Sequence, residues 1–134
     1  MNICQVTLKG NISVIKENLV NFNKIYKDNN FYIICPKKDK SFFQKRIDYP
    51  KTFFIEEENL INFKDFKKIS NKYLKKTSYY REIQSRLSWY YQQILKITFV
   101  INFIKNKKSD IIIWDADTIL IAKIIFFNKD FSNY

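Results

Sequence analysis

The chain has 134 residues, 46% of them hydrophobic and 18% aromatic, which is ample for the core of one domain and excludes disorder as the default state. A formal charge of +11 invites nucleic acid or an anionic membrane surface as partner, but the lysines are scattered over nearly every segment and no nucleic-acid-binding motif accompanies them. The charge therefore reads mostly as solvated surface, with weak peripheral membrane association as the open alternative.

There is no histidine, which excludes His-based triads, His metal ligands and a His general base within these residues. Cys4 and Cys35 lie in apolar runs without zinc spacing and read as buried reduced thiols, which suits a cytoplasmic protein. Residues 3–8 are too few for the apolar region of a secretory signal. The longest apolar runs, 94–104 and 119–127, are broken by Lys or too short to cross a bilayer.

In chain order, residues 3–8 read as a strand and Lys9-Gly10-Asn11 as the turn after it, with Gly10, the single glycine, placed where a positive φ is tolerated. Ser13 is the expected N-cap of a helix to about Tyr26, with Glu17 close behind and Val14, Leu19, Phe22 and Ile25 or Tyr26 at approximate helical spacing. Asp28-Asn29-Asn30 ends it. Residues 31–35 form a second strand closed by Pro36, 41–47 a short helix, and 52–55 a third strand ending at Glu56, Glu57 and Glu58. These glutamates read as charge favourable to a helix N-terminus, in preference to metal or sugar ligands.

From 59 to 76, Leu60, Phe63, Phe66, Ile69 and Tyr73 predict one or two amphipathic helices with a lysine-rich outer face. After Thr77-Ser78, residues 83–104 read as one long helix. At about 100° per residue it gathers Ile83, Leu87, Tyr90, Ile94, Ile97, Thr98 and Ile101 on one side. Arg86, Trp89, Gln93 and Lys96 fall together on another. A solvated stripe seldom places a bulky Trp between two cations, and an Arg, a Gln and a Lys on one face have the chemistry to hold a diphosphate and a sugar hydroxyl.

Ile111-Ile112-Ile113-Trp114 reads as a strand buried on both faces, stopping at Asp115-Ala116-Asp117. Ligands of parallel sheets sit outside the carboxyl ends of the strands, and alternate residues of an extended segment point the same way. Asp115 and Asp117 are therefore candidates to converge on one hard divalent cation with oxygen ligands; the alternative is a simple Asp-x-Asp turn. Residues 119–127 are expected to pack a short strand and turn over the sheet. The alternation of strands and helices predicts an α/β fold, a mainly parallel sheet with helices on both faces, half of a nucleotide-binding architecture.

The pairing of Arg86-x-x-Trp89-Tyr90-x-Gln92-Gln93-x-Leu95-Lys96 with Trp114-Asp115-Ala116-Asp117-Thr118 resembles a family of predicted bacterial sugar transferases, similar to nucleotide-sugar glycosyltransferases of the GT-A fold with an Asp-x-Asp motif. The resemblance covers most of the chain, from the first strand to Phe126-Phe127. It implies the Rossmann-like N-terminal half of that fold. It also implies a Mn2+ or Mg2+ ion on Asp115 and Asp117 that bridges the diphosphate of a nucleotide-sugar donor, with a carbohydrate acceptor of unknown identity. Arg86, Trp89, Gln93, Lys96 and Asp115 would bind the donor, Arg86 and Lys96 at phosphate, Trp89 or Gln93 at the sugar. The first turn of such enzymes contacts the base, often through an acidic residue; here Asn11 stands there. Their acceptor site and catalytic base lie beyond the Asp-x-Asp, so residues 1–134 are expected to be a single donor-binding domain, incomplete at its C-terminus, with no catalytic residue assigned. Two other readings stand beside this one. One is a non-catalytic basic module for nucleic acid or anionic surfaces. The other is an Asp-x-Asp phosphotransferase or nuclease drawing on Glu56, Glu57 and Glu58.

Overall fold

Four short runs of largely apolar residues pair in parallel in the computed structural model, which describes residues 1–107 and 109–126. They are β1 (Asn2–Val6), β2 (Asn30–Cys35), β3 (Thr52–Glu56) and β4 (Ile112–Ile113). The helices between them are α1 (Ile12–Ile25), α2 (Lys40–Gln44), α3 (Phe63–Leu74), α4 (Tyr80–Ser85) and α5 (Leu87–Lys107). The sheet order is β3-β2-β1-β4, with Ile3 opposite both Phe31 and Ile112. The expected α/β fold is therefore present, and its sheet is all-parallel.

The layering follows from connection handedness. The chain steps one way from β1 to β2 to β3, then jumps back past β1 to β4. Crossovers of one hand that travel in opposite directions must cover opposite faces. Accordingly Ile15, Leu19 and Phe22 of α1 and Phe43 of α2 pack with Ile3, Phe31 and Ile33. Tyr91, Leu95, Phe99 and Phe103 of α5 pack with Cys4, Val6 and Ile34 on the other face. Cys4 and Cys35 are buried, unpaired and on opposite faces; burial pushes both thiols up to about 12.

Several local expectations are corrected. Helix α1 begins at Ile12, with Asn11 at its N-cap position and Ser13 inside the first turn. Gly10 lies in a 3-10 turn without a positive φ; among the described residues the left-handed ones are Asp28 (φ 57°) and Lys51 (φ 60°), joined by an ion pair of 3.1 Å at the turns leading to β2 and β3. The buried Asn29 amide closes α1 by donating to the carbonyls of Phe22 at 3.0 Å and Tyr26 at 2.8 Å. The long helix breaks at Arg86 into α4 and α5.

Helix α5 buries a different face from the one expected. Leu87 is buried as expected, but Tyr91, Leu95 and Phe99 turn inward with it, whereas Tyr90, Ile94, Ile97 and Ile101 are exposed, Ile97 at 52%. Both sets repeat at helical spacing, so periodicity alone does not choose between them. Helix α3 buries no residue fully: Phe63 and Phe66 pack on Tyr91, while Ile69 and Tyr73 face outward. Strand β4 is a two-residue edge strand with Ile113 exposed, not a doubly buried one, although the Trp114 amide still donates to the Cys4 carbonyl at 2.9 Å.

No strand forms in the described part of 119–127; Phe127 lies outside the described residues. Its backbone groups are satisfied by side chains of α1 instead of a neighbouring strand. Asn21 donates to the Leu120 carbonyl at 2.9 Å, and the Tyr26 hydroxyl both donates to the carbonyl and accepts from the amide of Ile124.

Phe22 is fully buried among Phe31, Trp114 and Tyr26. Phe22→Ala is expected to lower unfolding stability by about 3–5 kcal/mol in chemical denaturation. The exposed Val20→Ala on the same helix should stay within about 0.5 kcal/mol of the parent.

Candidate functional site

A gap lies outside the carboxyl ends of β1 and β4, the neighbouring strands at which the winding reverses, bounded on one side by α5. A hollow of about 200 Å³ occupies that gap, lined by Thr7, Leu8 and Asn11 after β1, Trp89, Gln92, Gln93 and Lys96 of α5, and Asp115, Ala116 and Asp117 after β4. Of the predicted site residues, Trp89, Gln93, Lys96, Asp115 and Asp117 thus come together. Arg86 does not line this hollow. The break between α4 and α5 places it in an adjoining one with Ser85, Ser88 and Trp89, so Trp89 is the wall the two share.

Lys96 is the buried cation of the site. Its side chain is 9% exposed, its ammonium donates to an Asp115 carboxylate oxygen, and Gln93 Oε1 lies 3.4 Å away. A buried ammonium needs such a partner, since an uncompensated charge off water is strongly unfavourable. Asp115 itself is open, with 61% of its side chain exposed. Asp117 is exposed and pairs with no cation among the described residues. The lining thus carries two carboxylates against one ammonium, and that ammonium is already engaged.

The turn that presents the carboxylates is held from behind. The Thr118 amide donates to the Asp115 carbonyl at 3.2 Å, and the Trp114 indole donates to the Thr118 carbonyl at 2.9 Å. Asn18, fully buried on α1, donates to the Thr118 carbonyl at 2.7 Å and accepts from the Leu120 amide at 3.0 Å. Sequence reasoning missed Asn18. Its signal was an amide at a position flanked at helical spacing by Ile15, Leu19 and Phe22, where a polar side chain must find buried partners.

The donor set fits a hard divalent cation. Two carboxylates, the Thr7 hydroxyl and the Gln92, Gln93 and Asn11 amide oxygens offer oxygen ligands only. No group of three or more His, Cys, Asp or Glu suited to a metal ion occurs among the described residues.

Glu56, Glu57 and Glu58 are elsewhere. Glu56 pairs with Lys40 at 3.0 Å, Glu58 accepts from the Lys37 amide at 2.9 Å, and none lines the hollow. Burial, with Glu58 and Asp39 nearby, pushes the Glu57 carboxyl from its ordinary 4.5 up to about 7. Tyr91, raised to about 12 mainly by burial, donates its hydroxyl to the Ile61 carbonyl at 2.6 Å and ties α5 to the segment before α3.

Asn18→Ala is expected to lower stability by about 1–3 kcal/mol in denaturant titration, because it strands the Thr118 carbonyl and the Leu120 amide. For Glu57 the folded state holds its proton more tightly than the unfolded state does. Its contribution therefore declines as pH rises from about 4.5 to about 7 and is unfavourable above. Glu57→Gln should remove that decline, gaining stability over the parent at pH 8 and not at pH 4; equal pH profiles would contradict the assignment. No family profile, curated protein or solved structure matches the chain.

Proposed function

We propose that the hollow binds a nucleotide-sugar donor through a divalent cation held by Asp115 and Asp117, as the donor site of a glycosyltransferase. One observation carries this reading: the two carboxylates meet Trp89, Gln93 and Lys96 of the helical stripe in a single hollow, at the point where the sheet reverses its winding. The charge balance of the lining points the same way. An anionic diphosphate entering beside two carboxylates needs more positive charge than Lys96 alone supplies.

In this reading Asp117 and the open side of Asp115 orient a Mn2+ or Mg2+ ion, which when bound supplies charge to stabilise a departing nucleoside diphosphate. The exposed Trp89 indole offers a stacking wall to sugar or base, and Gln92 and Gln93 offer amides to hydroxyls. Asn11, whose side chain makes no cap bond to α1, is available at the start of the hollow for a base or ribose contact. Arg86 serves a part of the donor that extends past Trp89 into the adjoining hollow.

In a thermal-shift panel of nucleoside diphosphates with and without Mn2+, one nucleotide is expected to stabilise the chain only when the ion is present. The gain is about 2.7 kcal/mol at a hundred times the dissociation constant. Asp117→Asn should abolish the gain without lowering the melting temperature of the unliganded protein. A stabilisation that survives in Asp117→Asn, or none with any nucleotide, would overturn the reading.

A second reading, a basic binding module, is favoured by a separate surface. On α3, Lys64, Lys67, Lys68 and Lys72 are exposed beside Ile69 and Tyr73, with Lys75 and Lys76 following. Apolar side chains ringed by lysines suit weak peripheral association with an anionic membrane, and no described helix is long and apolar enough to cross one. Sedimentation with phosphatidylserine vesicles is then expected without any divalent ion, falling steeply with salt and in the Lys67→Glu, Lys68→Glu double variant. Salt-independent or absent binding would dismiss it.

A further inference from the structure

Lys96 and Asp115 are the one ion pair of the described residues that involves a residue lining the hollow. Its two ends differ in environment. The lysine side chain is nearly closed off from solvent, whereas the aspartate opens to it. Asp115 can therefore turn to a new partner in water, but Lys96 cannot be left alone without a large penalty. Its other polar contact, the neutral Gln93 amide oxygen at 3.4 Å, does not offset its charge.

Resting on the reading of the hollow as a cation and diphosphate site, we propose that Lys96 makes the two ligands bind cooperatively. In the unliganded protein the ammonium holds Asp115. A divalent cation arriving alone must loosen that pair and sit beside an ammonium of like charge, so it binds weakly. A diphosphate gives the ammonium a new anion and frees Asp115 for the ion. Each ligand thereby raises the affinity of the other by the same factor, as linkage requires. Lys96 is here a positioning residue: it acts through Asp115 and through the charge balance of the hollow.

The test is Mn2+ binding, followed by the electron paramagnetic resonance of the free ion, for the parent, Lys96→Met and Lys96→Arg, first with Mn2+ alone. Pyrophosphate affinity is then measured by calorimetry with free Mn2+ held constant or omitted. Lys96→Met is expected to bind Mn2+ alone at least about tenfold more tightly than the parent, since Asp115 is released, while Lys96→Arg keeps the charge and stays weak. Pyrophosphate affinity should rise with Mn2+ by a factor within the usual coupling range of about 5–150 in the parent, and by less in Lys96→Met. Lys96→Gln, which preserves a polar head, serves if Lys96→Met fails to fold. Equal Mn2+ affinities in the parent and the uncharged variants, with binding still lost in Asp117→Asn, would overturn the coupling and leave the cation site standing. No Mn2+ binding by any of them, with or without pyrophosphate, would overturn both.

Discussion

Strand β1 lies where the winding of the sheet reverses, and this reversal is the constraint on which the site depends. With β2 on one side of β1 and β4 on the other, α1 covers one face and α5 the other; the segments after β1 and β4 both turn to the α1 face, and the hollow lies between them and α5. The short β4 suffices because it has only to deliver Asp115 to the rim; Asn18, Asn21 and Tyr26 of α1 then hold the chain that follows.

Electrostatics then sets what the hollow accepts. The chain carries +11, yet the lining contributes two carboxylates and a single ammonium tied to one of them. The basic surface draws anions toward the protein, while the lining itself calls for a cation. The proposed ligand, a diphosphate carried with a divalent ion, satisfies both conditions, and a bare polyanion satisfies only the first. Lysine-rich α3 contributes no residue to the lining, so surface charge and site charge are separate properties of this molecule.

The order of elements was legible because four apolar runs alternate with helical patterns. That Trp89, Gln93 and Lys96 share a face of α5 was legible from their helical spacing. The inward face of α5 was not. Tyr90, Ile94 and Ile97 repeat as convincingly as Tyr91, Leu95 and Phe99, and what distinguishes them is tertiary: the rotation that buries Leu95 against Cys4 and Val6 also brings Lys96 to Asp115. Arg86 stands outside the hollow, beside a helix break that leaves no mark in a periodic pattern and that no Gly or Pro announces. Asn18 was overlooked because its partners, Thr118 and Leu120, lie about a hundred residues away and are backbone groups, which sequence spacing does not reveal.

The most direct examination of the central claim is a nuclear magnetic resonance titration of the isotopically labelled chain with Mn2+ in the presence of a nucleoside diphosphate, since the ion broadens only signals close to it. A cation held by Asp115 and Asp117 should first erase the backbone amides of residues 115–118 and of Thr7 and Leu8, together with the side-chain amides of Asn11, Gln92 and Gln93. The amides of β3 and α3 should persist. Broadening that begins at Glu56, Glu57 and Glu58, or that spreads evenly over the lysine-rich surface, would contradict the account.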